Sequence, residues 1–217
     1  MPSLAPVRMT TASLSFMPYI IMFTLDLHPS IPNTNRMGFE IETKVLAVPV
    51  AELIHRLEEL NALKILDTRL TVDWYRPADE KTGDEKWYLR IRSRADGSAE
   101  MTWKGKSDIL GSSRKHKEIN IPLDDFMLMG DFLESIGMVT YAHQEKDRIS
   151  YELNEWRIDI DTYPDMPSYA EIEGHSEEHI QEALSLLHLE DRTCLAEGER
   201  TLIEREYGLD WFDMRFK

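Results

Sequence analysis

The sequence predicts a mainly β protein with a few helices, built on an antiparallel sheet that either closes as a barrel or stacks as a sandwich. Three observations predict it. Seven or eight segments read as strands, the helical stretches between them are few, and most strands alternate apolar and charged residues.

Taken in order, residues 39–48 alternate and form the first strand. Pro49 opens a helix whose apolar face is Val50, Leu53, Leu57 and Leu60, running to about Leu63. Residues 69–76 read as a strand, and 77–85 as a loop punctuated by Pro77 and Gly83. Two strands, 86–94 and 98–104, flank the hairpin signal Asp96-Gly97. A polar loop is expected over 105–114, then a strand over 115–122. Asp124 or Asp125 caps a helix carrying Phe126, Met129, Phe132, Leu133 and Ile136, which Gly137 ends. Further strands are expected at 139–152, with a break near Gln144, at 155–161 and at 168–173. Ser176 caps a helix with Glu177 and Glu178 in its first turn and Ile180, Ala183, Leu184 and Leu187 on one face. A last amphipathic stretch covers about 196–207.

The chain has 217 residues, 42% of them hydrophobic, enough for one domain with a sizeable core. Its net charge of −15 disfavours nucleic acid and anionic membranes as partners. A small polyanion remains compatible where basic residues cluster and a divalent cation assists. A single cysteine, Cys194, excludes an intramolecular disulfide and fits a reducing, cytoplasmic compartment. No CxxC or HExxH suggests zinc, and no GxxxxGK[ST] suggests a P-loop. Residues 1–36 differ in composition, being rich in Ser, Thr, Pro and Met. They are read as a mis-annotated or disordered N-terminal extension, and 37–217 as the domain. The apolar patch at 14–23 is broken by Pro18 and too short to span a bilayer.

The informative pattern is which residues share a strand face, since side chains repeat every second residue. Glu40, Glu42 and Lys44 share one, as do Arg90, Arg92 and Arg94. Thr102 aligns with Lys104, His116 with Glu118 and Asn120, and Lys146 with Arg148. Arg157, Asp159 and Asp161 align, as do Glu171 and Glu173. One such face needs nothing beyond solvent. The set sorts by sign, whereas ordinary surfaces mix signs. Paired carboxylates offer hard oxygens to Mg²⁺ or Mn²⁺. Paired arginines match phosphate oxygens bidentately. The apolar faces would then point outward, under the helices. Trp74, Tyr75, Trp87, Trp103 and Trp156 lie opposite the charges or near strand ends and are expected beneath those helices.

Glu40-Ile41-Glu42-Thr43-Lys44 resembles the ExExK signature of the CYTH superfamily, the triphosphate tunnel metalloenzymes. The ordered sequel strengthens the likeness: Arg90-x-Arg92, Lys104 in a TxK strand, Glu118, Lys146-x-Arg148 followed by Tyr151, Asp161, and Glu171-Ile172-Glu173. It covers about 38–208. It departs from the family where a Leu-Gly pair is absent between Asp161 and Tyr169, and where Asn120 stands at a common carboxylate position.

The resemblance implies eight antiparallel strands closing into a tunnel with helices outside. It implies divalent metal, Mg²⁺ or Mn²⁺, on Glu40, Glu42, Glu118, Asp161, Glu171 and Glu173. It implies a small-molecule triphosphate held by Lys44, Arg90, Arg92, Lys104 and Arg148, with Lys146 nearby, in a monomer or homodimer. Lys44 is also the candidate base for an attacking water. Hydrolysis of inorganic triphosphate, thiamine triphosphate or a nucleoside triphosphate is placed first. Cyclisation of ATP by a class IV-type adenylate cyclase is second, and a non-catalytic polyphosphate binder third. A scaffold without ligand would require the charged faces to lie outside.

Overall fold

The computed structural model describes residues 37–81 and 86–217. The expected extension over 1–36 lies outside the described residues, as does part of the expected 77–85 loop. In chain order the elements are β1 (Met37–Val45), α1 (Val50–Glu59), β2 (Leu63–Pro77), β3 (Tyr88–Arg94), β4 (Ala99–Lys104), β5 (Asp108–Leu110), β6 (Ser113–Leu123) and α2 (Phe126–Ser135). There follow β7 (Met138–Leu153), β8 (Trp156–Thr162), β9 (Tyr169–Gly174), α3 (Glu177–Leu186), β10 (Cys194–Leu195), α4 (Glu199–Tyr207) and β11 (Asp213–Met214).

Eight strands pair in the circular order β1-β9-β8-β7-β2-β3-β4-β6, and β6 returns to β1, so the sheet closes. Every pairing in the ring is antiparallel. Of the two antiparallel architectures open to the sequence, the barrel forms. β5 adds a short hairpin arm to β6, β10 flanks β1, and β11 runs parallel to β7.

Four boundaries differ from expectation. Helix α1 stops at Glu59 because Asn61 takes a left-handed conformation, φ +57°, after which β2 starts at Leu63. The expected loop over 105–114 is instead the β5–β6 hairpin, turned at Gly111 with φ +58°. Its polar composition resembles a loop because β5 is a three-residue edge strand with both faces exposed. Strand β7 runs through Gln144 without a break, since Gln144 bonds Trp74 Nε1 at 2.7 Å and the Trp211 carbonyl at 2.6 Å. The last helix starts at Glu199 rather than near 196.

Other local signals hold. Asp125 caps α2 by accepting from Leu128 N at 2.9 Å, and Ser176 caps α3 by accepting from His179 N at 3.1 Å. The apolar strand faces point outward, except on β2. Leu53 and Leu57 of α1 and Ile180, Ala183 and Leu184 of α3 bury Ile158, Ile160, Ala170 and Ile172. Leu133 of α2 packs with Leu89 and Ile91. These outer layers are the hydrophobic core, because the barrel interior is largely given to charge. Among the described residues no helix is long and apolar enough to cross a membrane.

Candidate functional site

Strand register decides which charges meet inside. Glu42 lies opposite Glu173, and Lys44 opposite Glu171. On the next strand Glu171 lies opposite Asp159, and Tyr169 opposite Asp161. Thus β1, β9 and β8 form a contiguous acidic sector holding Glu40, Glu42, Asp159, Asp161, Glu171 and Glu173. Lys146 and Arg148 on β7 border it, and Arg90, Arg92 and Arg94 stand on β3. Between those basic strands β2 lines the interior with Leu70, Val72 and Trp74. Charged faces lie inside, the reverse of the arrangement that the ligand-free scaffold reading requires.

Across the sectors the charges pair closely. Arg148 donates to Asp161 Oδ1 at 2.6 Å, Asp159 Oδ2 at 2.5 Å and Glu171 Oε2 at 2.8 Å. Lys146 Nζ reaches Asp161 at 2.8 Å and Glu199 at 2.6 Å. Lys44 Nζ sits 3.1 Å from Glu42 and 2.9 Å from Glu171. Lys104 pairs with Glu118 and lies 3.5 Å from Glu40. Arg92 pairs with Glu100 at 2.6 Å. Burial alone would raise the Glu42 carboxyl, but Arg114 and Lys44 outweigh it and hold it well below the usual range. Glu118, beside Lys104, and Glu171, beside Lys44 and Arg148, behave alike.

Arg90 and Glu173 are among the described residues that stand outside this pairing. Arg90 is 8% exposed, yet its Nε has no hydrogen-bond partner and no carboxylate lies within ion-pair distance among the described residues. The Trp74 ring lies 5.4 Å from its guanidinium carbon. Burial, and then the neighbouring Arg92, lower its proton affinity. Glu173 shows the opposite imbalance: burial, and then Glu40, push its carboxyl well above the usual value. The interior therefore holds an arginine short of an anion and a carboxylate short of a cation.

The expected metal ligands gather in two groups. Glu40 and Glu42 cluster with His116, and Asp161 and Glu171 cluster with Glu199, the donor atoms of each group lying within 4.8 Å of one another. Oxygen-rich donors, together with the raised Glu173 carboxyl, fit a divalent cation. Glu118 faces Lys104, and Glu173 lies opposite Arg157 and Glu42. The expected phosphate residues Lys44, Arg90, Arg92, Lys104, Lys146 and Arg148 all reach the interior.

Interior groups beyond the expected site residues include Asp159, which pairs with Arg148, and four more. Arg114 donates to Glu42 from Nε at 2.7 Å and also from Nη2. Continuing the alternation of 116, 118 and 120 back by two residues would have found it. His116 was on the identified face. Arg157 reaches Asp159 at 3.2 Å. Glu199 enters from α4 and left no strand-period signal. Trp74 corrects the expectation that the tryptophans lie under the outer helices: it faces the interior. Trp211 covers it at 5.1 Å between ring centroids, in a cluster with Leu202 and Ile203 of α4. This apolar plug explains why β2 lines the interior without charge.

No curated protein sequence matches the chain. Among solved structures, a candidate adenylate cyclase from Vibrio parahaemolyticus is similar at TM-score 0.66 and 14% identity, over 77% of this chain and 98% of that one. HpAC1 from Hippeastrum, described as a candidate adenylyl cyclase with a dominant triphosphatase activity, aligns at TM-score 0.58 and 18% identity, over 78% and 96%. A chain of the Schizosaccharomyces pombe Mediator head module aligns at TM-score 0.56 and 12% identity, over 74% and 99%. At these identities the likeness is one of fold. The family model of the CYTH domain matches residues 38–207, and the chain, with its closed eight-strand barrel and charge-lined interior, belongs to that family.

Proposed function

We propose that the protein hydrolyses a triphosphate compound, inorganic or carrying a small organic group, held inside the barrel with Mg²⁺ or Mn²⁺. The observation that carries this reading is Arg90, a buried guanidinium without a carboxylate partner among the described residues, facing a contiguous wall of carboxylates. A permanent charge in that setting is costly unless an anion completes it. Phosphate oxygens match the guanidinium fork.

In this reading Arg92, Lys104, Lys146 and Arg148 turn from their carboxylate partners, join Arg90 on the phosphate chain and hold it in line. Glu40, Glu42, Glu118, Asp161, Glu171 and Glu173 hold the cation. A bound divalent cation supplies charge neutralisation on the phosphate oxygens. Lys44 has two roles open to it, phosphate contact and base. Its Nζ lies between Glu42 and Glu171, at 3.1 and 2.9 Å. Because α4 and Trp211 fill one end of the barrel, an organic group would project from the other. The dominant triphosphatase activity ascribed to the Hippeastrum neighbour supports hydrolysis over cyclisation.

The test is to incubate the protein with Mg²⁺ or Mn²⁺ and inorganic triphosphate, ATP or thiamine triphosphate, and resolve the products. Orthophosphate release supports hydrolysis and names the substrate. Cyclic AMP with pyrophosphate would establish the cyclase instead. Tight triphosphate binding without turnover would leave only a binder.

A further inference from the structure

We infer that His116 contributes a nitrogen ligand to the metal site of the barrel, beside Glu40 and Glu42, and that this chain therefore prefers Mn²⁺ to Mg²⁺. The inference rests on the proposed metal-dependent reading and sharpens its cofactor.

His116 sits on β6 between Arg114 and Glu118, on the inward face, opposite Glu40 of β1. It is 2% exposed. Its Nε2 lies 3.3 Å from Glu40 Oε2, 3.5 Å from Glu118 Oε2 and 3.2 Å from Lys104 Nζ. The nitrogen that meets the carboxylates is Nε2, while Nδ1 is buried without a hydrogen-bond partner among the described residues. A buried imidazole whose Nε2 is turned into a carboxylate cluster offers that cluster a nitrogen donor.

Donor atoms of Glu40, Glu42 and His116 lie within 4.8 Å of one another. Ligands on one octahedral divalent ion, each at about 2.1 Å, stand about 3.0 Å apart when adjacent and about 4.2 Å when opposite. The Glu40–His116 pair, at 3.3 Å, already falls within that range. Two of these groups, Glu40 and His116, already hold one cation, the Lys104 ammonium, which Glu118 also contacts. Displaced from them, Lys104 is free to meet a phosphate oxygen.

The nitrogen donor decides which ion fits. Mg²⁺ takes oxygen ligands and gives up water reluctantly. Imidazole suits transition metals. An all-carboxylate group would accept either ion. A carboxylate–imidazole group shifts the balance toward Mn²⁺.

The experiment uses the full chain without substrate. Mn²⁺ and Mg²⁺ affinities are measured by calorimetry, and the Mn²⁺-loaded protein is examined by pulsed electron paramagnetic resonance for ¹⁴N coupling. Wild type should bind Mn²⁺ roughly tenfold or more tighter than Mg²⁺ and show imidazole nitrogen coupling. His116→Gln should lose the coupling and most of the preference, and His116→Glu should favour Mg²⁺. Absence of coupling in wild type overturns the inference and needs no variant to fold. Coupling that persists in His116→Gln assigns it to another imidazole and also overturns it. Triphosphate turnover without nitrogen coupling would sink this inference alone. Coupling without turnover of any triphosphate would sink only the hydrolase reading.

Discussion

The Tyr169 hydroxyl donates to Glu199 Oε1 at 2.6 Å, and Lys146 Nζ reaches the same oxygen at 2.6 Å. One carboxylate on α4 thus joins the helix that fills the barrel end to two strands of its wall. Tyr169→Phe removes a hydrogen bond to an ionised carboxylate and should cost about 2 kcal/mol. Glu199→Ala breaks a buried ion pair and should cost about 3 kcal/mol or more. Urea denaturation midpoints test the order. Equal losses would mean that the tyrosine, not the lysine, carries the link.

Acid should unfold the protein through these interior carboxylates. Against its burial, Lys146 holds the Glu199 carboxyl down to about 2, from an ordinary value of 4.5. A depressed carboxyl contributes stability that is complete above 4.5 and lost as pH falls toward 2. Glu42, Glu118 and Glu171 act in the same direction. Melting temperature should therefore fall steeply below about pH 5, and Glu199→Gln should flatten part of that slope.

Glu173 has the opposite sign. Its raised carboxyl binds a proton more tightly in the folded state, so it costs stability as pH rises above 4.5. In chelator at pH 7, Glu173→Gln should melt higher than wild type. Saturating divalent cation should reverse the order, since a ligand at 100 times its Kd adds about 2.7 kcal/mol only where it binds. Thermal melts with and without Mn²⁺ measure both effects.

Arg90 should show a trade between stability and binding. Arg90→Met replaces a buried, unpaired charge with an apolar chain of similar reach. It should stabilise the ligand-free protein by about 1–2 kcal/mol. Inorganic triphosphate should bind about 10–100-fold more weakly. Calorimetry and melting on the same samples check it. A variant that loses both would make Arg90 a structural residue.

Glu42 and Arg92 should separate metal from phosphate. Glu42→Gln should abolish metal-dependent turnover while circular dichroism stays native. Lys44 keeps Glu171, so the inner network is thinned rather than broken. Arg92→Ala should weaken triphosphate binding more than cation binding. Normal turnover in Glu42→Gln would end the metal assignment.

Much of the site was legible because a strand writes its faces into alternate residues. Glu40 with Glu42, Arg90 with Arg92, and Glu171 with Glu173 each read as neighbours on one face before any coordinates. Alternation cannot say which face is inside. An amphipathic strand reads the same with its charges in solvent or in a tunnel, and sorting by sign supplied the direction. His116, Arg157 and Asp159 kept the period without being singled out by the resemblance, and other groups lie where the period is lost or obscured. Glu199 sits on a helix, and Arg114 on a strand whose start resembles a loop. Trp74 faces inward because a distant residue, Trp211, arrives to cover it, and no local pattern encodes such a meeting.

Closure through β1 also constrains the order of folding. β1 must find β6 on one side and β9 on the other, with Lys44 opposite Glu171 from far along the chain. The arc β2-β3-β4-β6 contains hairpins that assemble locally, but the ring stays open until synthesis has passed Gly174. Until then like-charged side chains that the finished barrel sequesters stand in water, where hydration screens their repulsion. Long-range pairing of this kind places folding in the millisecond-to-second range, and the final zip along β1 is the step expected to set the rate.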